Sequence, residues 1–179
     1  MLLAGLDFET ANGRCGSICQ AGIALLDDGV PIQRWEAFVR PRPGQCWISR
    51  YNYRVHGIGP ESLRYAMEFH ELWPEMLELL SRADCVVMHH AMFDLAQLRD
   101  NLHYYGLPPV SFPYMDSVYA SRRAFPNLPN HQLDTVARVL NYPFRHHDAL
   151  EDAEACAFIL SQIGLPEDLW RTFQYPDET

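Results

Sequence analysis

The chain has 179 residues, of which 48% are hydrophobic, and it carries a formal net charge of -9. Its length suits one domain with a substantial buried core, so we expect residues 1–179 to form a single unit. The negative charge argues against a protein that coats nucleic acid through bulk electrostatics. It still permits a metal-dependent enzyme, because bound cations reverse the charge of an acidic site.

The sequence also bears on location. No segment reaches the ~18 uninterrupted apolar residues that a membrane span needs. The N-terminal run meets Asp7 and Glu9 too early for a signal peptide. Five cysteines make an odd number and show no regular framework. These features predict a cytoplasmic protein with reduced thiols and no membrane partner.

Three strands are predicted at the start of the chain. An apolar run over 2–10 ends in acids, a second strand covers 18–29, and a tight turn leads to a third over 32–41. The short connections favour an antiparallel meander. Residues 42–62 are rich in glycine, proline and aromatic residues, and we expect them to be irregular.

Helices and strands alternate in the rest of the chain. Their predicted order is helix 69–83, strand 84–90, helix 92–106, strand 112–118, helix 131–141 and helix 148–164. We expect the last two helices to close the chain. With the meander, this order predicts an α/β domain in which helices flank a mixed central sheet.

Three of four notable acids lie at or just after strand ends, where α/β folds place their sites, and the fourth follows a histidine by five residues. Asp7 and Glu9 are two apart on a strand, so their side chains project from the same face. Asp94 lies in the first turn of a helix, and Asp152 lies in the second turn of the last helix. Each has an ordinary explanation alone, as a loop, a helix-start acid or a solvated helix face. Together they predict a cation site, and oxygen-only ligands suit Mg²⁺ or Mn²⁺.

The last helix carries a second signal. Ala149, Ala153 and Ala157 give it a face of small side chains. Such a face lets the helix backbone come close to a neighbouring element.

Three motifs resemble those of a known family. The segments DFET (7–10), HHAMFD (89–94) and HDALEDA (147–153) occur in the order found in the DnaQ-like DEDDh 3′→5′ exonucleases, and segments 54–63 and 114–123 also match. The resemblance implies an RNase H-like fold. It also implies hydrolysis of phosphodiester bonds at a 3′ end, with release of nucleoside 5′-monophosphates.

The resemblance assigns roles to the acids and to one histidine. Two divalent ions, Mg²⁺ or Mn²⁺, would be held by Asp7, which contacts both, and by Glu9 and Asp152, which complete the shell of one. Asp94 would reach the second ion largely through water. His147, five residues before Asp152, would be the general base for the attacking water. His146 is the alternative base.

Substrate contacts are also implied by the resemblance. Phe8, Thr10, His56 and Ile58 would surround the terminal nucleotide, although core packing explains Phe8 and Ile58 nearly as well. The segment from Arg40 to Arg54 interleaves arginines with aromatic residues, as single-strand binding requires. An exposed loop without a partner would show the same composition, so both readings stay open.

One departure from the family pattern concerns His90, which stands where many members have asparagine. A histidine still donates a hydrogen bond, so we expect it to tune activity rather than abolish it. Single-stranded DNA is the favoured substrate, short RNA is the alternative, and a non-catalytic partner module is a third reading. The chain ends soon after the last helix, which favours a stand-alone enzyme; homodimerisation and association with a polymerase both remain open.

Overall fold

The computed structural model describes residues 1–176, in which a seven-stranded sheet has the order β4-β3-β2-β1-β5-β6-β7. The strands are β1 (Leu2–Thr10), β2 (Ile18–Asp27), β3 (Val30–Arg40), β4 (Met67–Glu68), β5 (Cys85–Met88), β6 (Val110–Asp116) and β7 (Arg171–Tyr175). β1, β2 and β3 form an antiparallel meander, while β5 runs parallel to β1 and β6 parallel to β5. The predicted mixed sheet is therefore confirmed.

Seven α-helices accompany the sheet in the described part of the chain, residues 1–176. They are α1 (Arg50–His56), α2 (Pro60–Leu63), α3 (Phe69–Arg82), α4 (Ala91–Tyr104), α5 (Ser117–Ala124), α6 (Leu133–Val139) and α7 (Ala149–Ile163). α3 and α4 pack on one face of the sheet, and α5, α6 and α7 pack on the other. Within residues 1–176, no helix combines the length and the apolar character needed to cross a membrane.

Strand alternation decides which face of the sheet carries the acids of β1. Leu6 and Phe8 belong to the core beneath α3 and α4, whereas Leu3 belongs to the core beneath α7. Because successive side chains point to opposite faces, Asp7 and Glu9 share the face of Leu3. The two carboxylates therefore point to the side of the sheet that α7 covers.

α7 lies unusually close to the sheet. A Cβ atom added to Gly5 would lie 1.8 Å from the carbonyl oxygen of Ala153, and one added to Gly22 would lie 2.2 Å from the carbonyl carbon of Ala149. Glycine is required at both positions because a helix backbone occupies the space of a side chain. The small-residue face of this helix thus makes the close approach predicted from its alanines.

The predicted irregular stretch over 42–62 contains two helices, so that prediction was wrong. Ser49 begins α1 by accepting a hydrogen bond from the backbone N–H of Asn52, and Gly57 ends it in the left-handed conformation. These are ordinary helix boundaries. α1 buries none of its residues, so no apolar periodicity marks it as a helix.

The prediction that two helices close the chain was also wrong. A 3₁₀ turn (Glu167–Leu169) and β7 follow α7, and β7 pairs antiparallel with β6. Phe173 on β7 stacks on Phe112 of β6, with ring centroids 5.0 Å apart. The pairing with β6, which is distant in the sequence, stabilises β7. Local sequence patterns do not predict such a contact.

Candidate active site

A cleft opens where the C-terminal ends of β1 and β5 meet α1 and the N-terminus of α7. Its volume is about 640 Å³. Strand ends of a mixed α/β sheet commonly hold such sites. The residues that line it are Asp7, Glu9, Tyr51, Asn52, Val55, His56, His89, His90, Gln132, Leu133, Asp134, His146, His147 and Asp152.

Three of the four predicted acids meet in this cleft. Asp7, Glu9 and Asp152 each offer a carboxylate oxygen, and these oxygens lie within 4.8 Å of one another. The fourth acid, Asp94, is only 1% exposed, and its Oδ1 accepts a hydrogen bond of 3.1 Å from the backbone N–H of Phe8. Asp94 therefore lies next to Asp7 but below the surface of the cleft.

The electrostatics of this group favour a bound cation. Burial and the neighbouring Asp94 raise the pKa of Asp7 well above its usual value. Burial, with Asp152, raises the pKa of Glu9 to about 7. Among the described residues that line the cleft, none is arginine or lysine. A group of carboxylate oxygens with this excess of negative charge fits divalent ions such as Mg²⁺ or Mn²⁺.

The two adjacent histidines differ in their contacts. Nδ1 of His146 lies 3.0 Å from both carboxylate oxygens of Asp152, and this hydrogen bond raises the pKa of His146. His147 instead uses its backbone N–H, which donates to Oδ2 of Asp152 at 3.2 Å. Its largely exposed ring stacks on that of His146, with centroids 3.9 Å apart. Partial burial of the ring, together with the nearby charge of His146, lowers the pKa of His147.

Two histidines of the cleft have left-handed backbones. The φ angle is 66° at His90 and 68° at His147, a region that non-glycine residues seldom adopt. Asp116 holds the first of these turns, since its carboxylate accepts from the backbone N–H groups of His90 at 3.1 Å and Ala91 at 3.0 Å. Asp116 was not among the site residues predicted from the sequence. The Asp-Ser pair at the end of a strand, within segment 114–123, was the signal that could have identified it.

Of the predicted substrate residues, only His56 lines the cleft. Its Nδ1 accepts from the backbone N–H of Ile58 at 2.9 Å, so Nε2 carries the proton and donates to the carbonyl oxygen of Thr10 at 3.1 Å. Phe8, Thr10 and Ile58 are 3%, 5% and 5% exposed, and the ring of Phe8 packs edge-on against Phe69. These three residues are therefore buried beneath the cleft and do not line it.

The segment from Arg40 to Arg54 divides into two parts. Arg40 pairs with Glu68 at 3.1 Å, and Arg42 pairs with Asp100 at 2.9 Å, so these guanidinium groups bind acids of the protein itself. Tyr51 on α1 is 78% exposed and lines the cleft. An exposed ring at the rim of a cleft offers a face on which a base could stack.

The raised pKa of Glu9 leads to a prediction about stability. The folded state keeps a proton on Glu9 between pH 4.5 and about 7 that the unfolded chain has already released. Without metal, the free energy of unfolding should therefore fall across this range, and the melting temperature should drop by roughly 5 °C from about pH 5 to about pH 7.5. Mn²⁺ should raise the melting temperature more at the higher pH.

Differential scanning fluorimetry in EDTA and in Mn²⁺ measures both effects. Glu9→Gln removes one titrating group and should reduce the pH dependence of the metal-free protein, while Asp7 still contributes to it. If the wild-type melting temperature is the same at both pH values, with and without Mn²⁺, the raised pKa of Glu9 is contradicted.

Sequence comparisons place the chain among nucleases. A model of the RNase T family, described as exonuclease, matches residues 5–160. DNA polymerase III of the PolC type from Bacillus cereus is 28% identical over 163 residues, which are 90% of this chain and 11% of the polymerase. The chain thus spans about a tenth of the length of the curated relatives that it matches.

Solved structures show the same fold. Exonuclease X, in complex with 5′-overhanging duplex DNA, has a TM-score of 0.72 at 21% identity, with 90% of each chain covered. The nuclease domain of 3′hExo, a DEDDh family member bound to rAMP, has a TM-score of 0.75 at 16% identity, again with 90% of each chain covered. The family match includes all three motifs and every acid of the cleft. The chain therefore belongs to the RNase T family of exonucleases.

Proposed function

We propose that this protein, acting as one domain over residues 1–179, removes nucleotides from the 3′ end of single-stranded DNA and releases nucleoside 5′-monophosphates. The observation that carries the proposal is the convergence of Asp7, Glu9 and Asp152 in one cleft that His147 also lines. A non-catalytic module would have no need to bury like charges together, because such burial costs stability.

The four acids are the proposed metal-binding groups. Asp7, Glu9 and Asp152 would hold two divalent ions, Mg²⁺ or Mn²⁺, and Asp94 would act from below, largely through water. The bound ions would supply the positive charge that stabilises the attacking and leaving oxygens of an in-line displacement. The hydrogen bond from Phe8 to Asp94 holds that carboxylate in position.

His147 is the proposed general base. It would take a proton from the attacking water through an imidazole nitrogen. Two features support this assignment over His146: the ring of His147 is exposed to the cleft, and the lowered pKa of His147 keeps it unprotonated at neutral pH. The ring of His146 is already hydrogen-bonded to Asp152.

The terminal nucleotide is proposed to lie against His56, which Phe8, Thr10 and Ile58 support from below, while Tyr51 offers a face for a base. The DNA-bound exonuclease X neighbour supports DNA as substrate. A rival substrate is short RNA, which the rAMP-bound neighbour supports.

Five free cysteines support a cytoplasmic location.

The test offers 5′-labelled single-stranded DNA and RNA of equal length to the protein in Mn²⁺. We expect a ladder of labelled products that shorten from the 3′ end, faster on DNA. EDTA should abolish the ladder and excess Mn²⁺ should restore it. A faster ladder on RNA would select the rival substrate, and activity that survives EDTA would remove the metal from the proposal.

A further inference from the structure

A second pocket lies beside the cleft, at the same edge of the sheet. Its volume is about 280 Å³, and Met92, Asp116, Tyr119 and Arg171 are among the residues that line it. The turn at His90 separates this pocket from the cleft. His90 lines the cleft, and its backbone N–H donates to Oδ1 of Asp116 at 3.1 Å. The cleft and the second pocket are therefore neighbours on one surface.

The side chains of the second pocket suit a single strand of nucleic acid. Met92 and Tyr119 are 70% and 55% exposed, and the guanidinium carbon of Arg122 lies 5.9 Å from the centroid of the Tyr119 ring. Arg171 is also exposed, and its Nη1 donates to two backbone carbonyl oxygens at 2.8 Å. Carbonyl groups orient a guanidinium but leave its positive charge in place. Aromatic rings stack on bases and arginines bind phosphates, so this surface offers both kinds of contact.

We propose that the second pocket holds nucleotides that lie upstream of the 3′ end of a single strand, while that end occupies the cleft. Tyr119 stacks on a base, and Arg122 and Arg171 contact phosphates. The inference rests on the proposed exonuclease function and adds a preference for length to it. A long strand gains contacts in the second pocket that a dinucleotide does not reach.

The distance between the cleft and the second pocket sets the length of strand that is required. Asp7 is on β1 and Arg171 is the first residue of β7, and β5 and β6 lie between these strands. Neighbouring strands lie ~4.8 Å apart, so the two residues are separated by at least ~14 Å across the sheet. A stacked strand advances ~3.4 Å per nucleotide, which places the second pocket about four nucleotides from the 3′ end.

The direction of the reaction favours this pocket over another one beside the cleft. Arg54 and His147 line a pocket of about 450 Å³ on the side of the proposed base. In an in-line displacement the attacking water and the leaving oxygen lie on opposite sides of the phosphorus. The water is held by His147, and the leaving oxygen carries the rest of the strand. The strand therefore departs away from the pocket of Arg54.

Steady-state kinetics in Mn²⁺ on a dinucleotide and on a single strand of about 12 nucleotides test the proposal, because only the longer strand spans the distance. We expect the wild type to have a lower KM for the long strand. Tyr119→Ala should reduce the ratio of the dinucleotide KM to the long-strand KM at least ~5-fold, which corresponds to the loss of one stacked base.

Binding of the labelled long strand in EDTA gives a readout that is independent of turnover. The affinity of the wild type should fall as the salt concentration rises, because arginines that bind phosphates displace counterions. Arg171→Gln should reduce the slope of log affinity against log salt concentration by ~0.7, the value for one phosphate contact on a single strand.

Arg64 and Tyr65 supply a matched control. The guanidinium carbon of Arg64 lies 5.3 Å from the centroid of the Tyr65 ring, and Tyr65 is 86% exposed. Neither residue lines the cleft or the second pocket. Tyr65→Ala should therefore leave the ratio of KM values unchanged, and Arg64→Gln should leave the salt slope unchanged.

Three outcomes decide the matter. If Tyr119→Ala and Arg171→Gln keep the wild-type ratio and slope, the proposal is overturned. A loss of the ratio in Arg54→Gln alone would also overturn it, because the strand would then pass across α1. A wild type that cleaves neither substrate would contradict the proposed function, and the binding measurement in EDTA would still decide whether the second pocket holds DNA.

Discussion

Replacement of Asp7 by asparagine should abolish turnover and, at the same time, stabilise the metal-free protein. Asp7 lies between Asp94 and the carboxylates of Glu9 and Asp152, and burial with these charges raises its pKa. An amide of the same shape removes the charge, which relieves the repulsion at neutral pH. The same amide is a poor ligand for a divalent ion, so we expect activity to fall at least ~10³-fold.

Two measurements on one variant separate these effects. Turnover is followed on labelled single-stranded DNA, and melting temperature is followed with and without Mn²⁺. Asp7→Asn should melt several degrees higher than the wild type in EDTA, and Mn²⁺ should no longer raise its melting temperature. Glu78→Gln, a neutralised acid on the exposed side of α3, is the control and should change neither quantity. If the variant keeps activity within about tenfold of the wild type, Asp7 is not an essential metal ligand.

The parts of the site that local patterns predicted are those that depend on strand and helix periodicity. Alternation on β1 was enough to place Asp7 and Glu9 on one face, and the alanines of α7 were enough to predict its close approach to a neighbour. Neither inference needed to know which neighbour was involved. The identity of that neighbour, through Gly5 and Gly22, emerged only from the packing of α7 on β1 and β2.

Other parts of the fold had no local signal. α1 buries none of its residues, and β7 is held by its pairing with β6. α1 therefore lacks the apolar periodicity on which helix prediction depends, and β7 is too short for its alternation to predict a strand without its partner. The left-handed backbones of His90 and His147 likewise have no signal in residue type; their N–H groups donate to the carboxylates of Asp116 and Asp152. The meeting of Asp7 with Asp152 was expected from the placement of the four acids, and the family resemblance added the role of each.

The pair of adjacent histidines gives the second prediction of large effect. His147→Ala should lower the turnover number by ~10²–10⁴-fold, the usual contribution of a general base. His146→Ala should lower it less than about tenfold, because the ring of His146 orients a carboxylate that the backbone N–H of His147 also holds. Asp152 keeps the backbone N–H of His147 as a donor in both variants. Both variants should therefore still show stabilisation by Mn²⁺.

Rescue by added imidazole distinguishes a base from a positioning residue. A small imidazole can enter the cleft of about 640 Å³ and accept the proton in place of the missing ring. We expect rescue of His147→Ala and none of His146→Ala, whose defect lies in the orientation of Asp152. The reverse pattern, a large loss and imidazole rescue in His146→Ala, would transfer the base to His146. The hydrogen bond between that ring and Asp152 would then have to break before each turnover.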